Sequence, residues 1–193
     1  GIPDGLLADD FPRSVWDIEF CITNISRFPE AITTAWANVG IVSLEGNTEL
    51  TEIPDVLMSL PSLFSLGRAM NNISSIREGI FGTHDFVGIF LMGNPIKRLP
   101  DNIGRSIDQL TVLSFTGTEV AMIPTSWMDI AVPASKLPGS VVLNAAWSPL
   151  CQLVTNPNVT RPKWLDINCE TTGDPVYSYP VDAEDAWRRT NQR

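Results

Sequence analysis

Residues 39–47 read VGIVSLEGN, residues 86–94 read FVGIFLMGN and residues 110–118 read LTVLSFTGT. Each places apolar side chains at its first, fourth and sixth positions and Asn or Thr at its ninth: Val39, Val42, Leu44, Asn47; Phe86, Ile89, Leu91, Asn94; Leu110, Leu113, Phe115, Thr118. Two further segments fall on the same L-x-x-L-x-L-x-x-N frame, Val15, Ile18, Phe20, Thr23 and Leu63, Leu66, Arg68, Asn71, and a degenerate sixth carries Val141, Leu143 and Ala146. The last frame position advances by 24, 24, 23, 24 and 28 residues, from Thr23 through Asn47, Asn71, Asn94 and Thr118 to Ala146. Such a period marks one supersecondary unit per repeat.

The pattern inside the frame dictates a local structure. Side chains alternate across a strand, so the two apolar residues of L-x-L enter a core while their neighbours face the other way. A unit of this length cannot bury its own apolar edge, and stacking against its neighbours supplies the core. The expectation is an α/β solenoid with a parallel sheet on its inner, concave side.

Downstream of each frame stands a second matched block: Phe28-Pro29 with Ile32, Ile53-Pro54 with Leu57, Ile76 with Ile80 and Phe81, Leu99-Pro100 with Ile103, and Ile123-Pro124 with Trp127. Over roughly residues 15 to 150 the sequence resembles the leucine-rich repeat family, and the repeat length with its I-P-x-x-[IL]-F style second half resembles the typical extracellular class. The resemblance implies short helices or irregular segments on the convex side. It also implies a buried ladder in which the terminal Asn of each frame bonds backbone groups of the neighbouring turn, with Thr23, Asn47, Asn71, Asn94 and Thr118 as its members.

Arg68 breaks the frame, because it falls on an inward position where other units hold Phe20, Leu44, Leu91 and Phe115. A buried unpaired guanidinium is costly. The favoured expectation is a strand slip that turns Ala69 inward, the alternative an escape of Arg68 to the sheet edge.

The ends set the organisation. Ile2-Pro3-Asp4-Gly5-Leu6 matches the second half of a repeat without a preceding strand, so residues 1–12 read as the tail of an upstream repeat in a longer array, 13–150 as the solenoid of about six units and 151–193 as a C-terminal cap where repetition stops. Of three cysteines, none lies in a C-x-x-C pair, which argues against a zinc cluster and leaves one bridge plus one further thiol as the simplest arithmetic. A bridge between Cys151 and Cys169 would clamp the cap; the four-cysteine flank common in the family is not matched. Cys21 would then pair with sequence outside this chain or remain a thiol.

Composition narrows the function. At 44% hydrophobic and 18% charged the 193-residue chain is too apolar for disorder, and a net charge of −9 repels phosphate backbones, so nucleic acid is not an expected partner. No window has the length of a membrane span. The single histidine, His84, lies in an outer segment expected to face solvent, and no hydrolase, phosphate-loop or zinc-protease motif occurs. Glu45, Glu49 and Glu52 gather in one unit, read as a solvated rim. The chain is therefore read as non-catalytic, with no cofactor and no metal.

Three glycosylation triplets begin at Asn24, Asn72 and Asn158. Asn24 and Asn72 each follow the ladder position by one residue, which places both on one exposed edge, and with the cysteine pair they favour a secreted or cell-surface location. Binding is expected on the concave face, where Phe90, Met92 and Val112, with Met70, form an apolar stripe and Ile41, Ser114 and Glu45 are further candidates. The expected partner is a protein or peptide. Alternatives are a self-associating structural or adhesive subunit of an extracellular coat, wall or filament, and the sensor ectodomain of a receptor kinase; Arg188, Arg189 and Arg193 are read as a solvated terminus.

Overall fold

The computed structural model describes residues 1–103, 107–132, 139–156 and 160–170. Its strands are β1 (Asp17–Cys21), β2 (Ile41–Glu45), β3 (Ser65–Gly67), β4 (Gly88–Phe90), β5 (Val112–Ser114), β6 (Val141–Asn144) and β7 (Leu165–Asn168). All seven join one sheet in chain order, each pairing parallel with the next. A parallel pair requires the chain to return to its starting edge between strands, so each repeat makes one coil of a solenoid-like α/β stack. The return segments hold little regular structure: α1 (Ile32–Ala35), α2 (Pro149–Val154) and 3₁₀ turns at Asp4–Leu6, Asp55–Ser59, Ile80–Thr83 and Thr125–Asp129.

The repeated prolines act where the chain changes direction. Pro3, Pro54 and Pro124 each stand just before a 3₁₀ turn at φ between −56° and −63°, the value the ring imposes, and a turn start loses nothing by lacking an N–H. In these return segments, apolar residues drop back under the sheet. Leu57, Leu60, Phe81, Ile103 and Trp127 are all buried against the inward strand residues Val42, Leu66, Ile89, Leu113 and Leu143. Buried indoles keep their donors occupied: Trp36 Nε1 donates to the Leu6 carbonyl at 2.8 Å and Trp127 Nε1 to the Pro100 carbonyl at 2.9 Å.

Three expectations need correction. The strand at Arg68 neither slips nor releases the side chain: Leu66 pairs with Val42 and Ile89, and Arg68 itself is fully buried. A one-residue slip would turn Leu66 out of the core with it. The guanidinium instead bends back to the backbone, Nη1 donating to the carbonyls of Val42 at 2.9 Å and of Gly67, while Nε and Nη2 have no partner among the described residues. Burial lowers its pKa from the ordinary 12.5 to about 9.

The sixth ladder position is Ser148, not Ala146. Leu113 pairs with Leu143, which carries Thr118 onto Ser148, and the two hydroxyls make the same bond three residues back, Thr118 to the Phe115 carbonyl at 2.7 Å and Ser148 to the Ala145 carbonyl at 2.6 Å. Finally, the strand repeat continues past Cys151: Val141 pairs with Leu165 and Leu143 with Ile167, so β7 extends the sheet in step. A disulfide joins Cys151 in α2 to Cys169 beyond β7.

Candidate functional site

The strand register sorts the outer sheet face, the one turned away from the core, into rows. The first row runs Asp17, Ile41, Ser65, Gly88, Val112, Val142 and Asp166; the second runs Glu19, Ser43, Gly67, Phe90, Ser114, Asn144 and Asn168. Beyond the second row β1 and β2 run on to Cys21 and Glu45 while the other strands end, and after each of the first six strands the chain turns through a left-handed residue: Ile22, Gly46, Met70, Gly93, Gly117 and Trp147 have φ between 53° and 67°. Three of these six are bulky side chains in a conformation that only glycine adopts freely.

Of the apolar stripe, Phe90 and Val112 are brought together. A Cβ on Gly88 would lie 2.7 Å from the Phe90 ring and 3.2 Å from Val112, so the missing side chain is the space that the aromatic ring fills. Both stay half-buried. Ile41, also half-buried, belongs to the same row as Val112 but is separated from it by Ser65 and Gly88. Met70 leaves the face altogether. It stands in the left-handed column with its Sδ over Gly93, 2.2 Å from where a Cβ would be.

Met92, Ser114 and Glu45, expected to line an accessible face, are buried at 4%, 0% and 2% exposure. Ser114 is a short side chain between two longer ones, in register with Phe90 on one side and with Asn144 on the other. Glu45 ends β2 and Met92 lies two residues past β4, each immediately before a glycine of the left-handed column, Gly46 and Gly93. His84 faces solvent only in part: it is half-buried, with Nε2 2.7 Å from the Leu60 carbonyl and Nδ1 2.9 Å from the Thr83 hydroxyl. It ties its coil to the preceding one. Glu49 and Glu52 are exposed.

Trp16, Phe64 and Val87 are surface residues that the frame passes over because they sit between its marked positions. They stand in one column on the rim where the strands begin, Trp16 57% and Val87 41% exposed. The Trp16 and Phe64 rings stack at 6.5 Å. The exposed tryptophan was the available sequence signal, since a core-facing alternation leaves no role for an indole at that place.

The charged residues of the two rows are acids: Asp17, Glu19 and Asp166, all exposed. Burial raises the carboxyl pKa of Asp17; burial first, then the charges of Asp17 and Glu45, raise that of Glu19. Among the described residues no group of three His, Cys, Asp or Glu side chains is placed to hold a metal, and no helix is long and apolar enough to cross a membrane.

Asn24 and Asn72 are both exposed, as are Ser26 and Ser74, while Ile25 and Ile73 between them are buried at 4% and 0%. The two asparagines occupy equivalent places two coils apart on one rim. Asn158 and the arginines at 188, 189 and 193 lie outside the described residues. No family model matches this chain, and no curated protein matches it.

Proposed function

We propose that this chain is a leucine-rich repeat recognition module of the extracellular space, non-catalytic, which holds a protein or peptide partner on the concave face of its sheet. The observation that carries this reading is the Phe90 ring laid over Gly88 against Val112: an aromatic surface held in place by a glycine, on the face free of core packing. Rigid aromatic anchors of this kind dominate protein contacts. The Cys151–Cys169 bridge and the two exposed triplets at Asn24 and Asn72 support a secretory route.

The site is tested with Phe90→Glu, Val112→Glu and their combination. Met92 is unsuited because it is buried, and a charge there would disturb folding. In chemical crosslinking of the natively produced chain to secreted and surface proteins, the partner captured by the parent is expected to be lost from the double variant while the thermal midpoint holds. Capture unchanged in the double variant rejects the concave site. Light scattering separates recognition from assembly, since a monomer at high concentration fits a receptor-like module and concentration-dependent growth fits the structural alternative.

A further inference from the structure

The end of the outer face at β1 combines a held aromatic plate with unneutralised acid. Trp16, though 57% exposed, is backed on one side by Phe64 at 6.5 Å and an interplanar angle of 22°. Phe64 is itself seated on Gly40, where a Cβ would come within 2.2 Å of its ring. The indole is thus fixed, with its remaining surface turned to solvent. Beside it Asp17 and Glu19 project from the same face of β1, about 7 Å apart as residues two apart on a strand are.

No described cation answers these carboxylates. Arg13, the nearest in sequence, donates to the Thr34 carbonyl at 3.3 Å, and the two described salt bridges, Arg77–Asp55 and Lys97–Glu119, join other coils. Burial first, then the charges of Asp17 and Glu45, raise the Glu19 carboxyl's pKa, and the repulsive part is one a bound cation would relieve. A net charge of −9 draws cationic partners from a distance.

We propose that this end of the face docks an extended basic segment of a partner protein, with one arginine both stacked on Trp16 and meeting Asp17, and a second basic side chain two residues along meeting Glu19. Charge complementarity selects the occupant, and the aromatic face selects arginine, whose planar guanidinium stacks on an indole where the ammonium of lysine cannot. Alternate residues of an extended peptide repeat at about 7 Å, the spacing of the two acids. This rests on the concave-face reading above and names the partner chemistry at one end of that face.

The test is calorimetric titration of the whole chain with the blocked peptides Gly-Arg-Ser-Arg-Gly, Gly-Lys-Ser-Lys-Gly and Gly-Glu-Ser-Glu-Gly. The arginine peptide is expected to bind about tenfold tighter than the acidic one and more tightly than the lysine one, with affinity falling as salt rises from about 0.05 to 0.3 M. Trp16→Ala and the double change Asp17→Asn with Glu19→Gln should each weaken it about fivefold or more, with the thermal midpoint held. Equal binding of the arginine and acidic peptides, or affinity unchanged in both variants, overturns the proposal. If Phe90→Glu with Val112→Glu abolishes partner capture while the Trp16 and Asp17/Glu19 variants do not alter peptide binding, this inference fails and the concave-face reading survives.

Discussion

Asn71 links two coils through both ends of its amide: its Oδ1 accepts the backbone N–H of Asn47 at 2.7 Å and its Nδ2 donates to the Leu44 carbonyl at 2.7 Å. Asn94 repeats the donor half one coil later, donating to the Arg68 carbonyl at 2.5 Å, while its Oδ1 accepts the N–H of Ile73 at 3.0 Å, two residues past the ladder position. Asn47 in turn donates to the Ile25 carbonyl at 2.5 Å. The turns after the strands bury their backbone without strand partners, and these amides satisfy it. Asn71→Ala is expected to cost on the order of 3 kcal/mol, since it orphans a buried donor and a buried acceptor. Urea unfolding measures this, and a loss under about 1 kcal/mol would mean that the ladder is dispensable.

Arg68→Leu should stabilise the chain. It places just past β3 the residue found at the equivalent positions of the neighbouring coils, Leu44 in β2 and Leu91 just past β4, and removes a buried guanidinium with two unsatisfied nitrogens. Replacement of buried ionic groups by apolar ones of similar volume gains about 1 to 4 kcal/mol in known cases. Thermal or urea unfolding decides, and a destabilised variant would show that the two carbonyl bonds of Nη1 outweigh desolvation.

Gly93 and Met70 are predicted to be coupled. Gly93→Ala places a Cβ against the Met70 sulfur at a residue with φ of 63°, so both crowding and the left-handed penalty of about 1 kcal/mol apply. Met70→Ala relieves only the crowding. A double-mutant cycle should show the pair less destabilised than the sum of the singles, and strict additivity would remove the contact from the account.

Cutting the Cys151–Cys169 bridge frees a loop with a sequence separation of 18. The chain-entropy argument assigns such a bridge about 3 kcal/mol. Cys151→Ser with Cys169→Ser should lower stability by that order, and hydrogen exchange should rise first in β7, at the end of the sheet.

The raised carboxyls at β1 set a pH dependence of definite sign. With folded pKa values above the ordinary 3.8 for Asp17 and 4.5 for Glu19, the native state holds protons that the unfolded chain releases. Their ionisation therefore disfavours the fold, by an amount that grows as pH rises from those values through the folded ones. Asp17→Asn with Glu19→Gln should flatten this part of the stability profile and leave the double variant at least as stable as the parent at neutral pH. A less stable variant at neutral pH would mean that the two carboxylates are engaged in stabilising contacts.

The frame by itself determined the number and order of β1 to β6, because alternation decides which side chains enter the core and a fixed period decides that the units stack alike. Inward residues such as Val42, Leu66 and Leu113 were legible for that reason, each fully buried. So was the place of Asn71, a polar residue at the end of an apolar frame. Tertiary structure decided where the period wavered. β7 was hidden because Leu165 and Ile167 lack the rest of the frame, and pairing with β6 supplied the register that the pattern omitted. Ser148 was displaced by a longer insertion before β6. Arg68 stayed inward because its neighbours hold the strand more firmly than one guanidinium can pull it. The surface was least legible of all. Whether Phe90 turns back over Gly88 of its own strand on the side of Val112, or Trp16 lies against Phe64 two coils away, depends on how side chains of neighbouring coils pack, and no spacing along the chain encodes which neighbour fills the space a glycine leaves open.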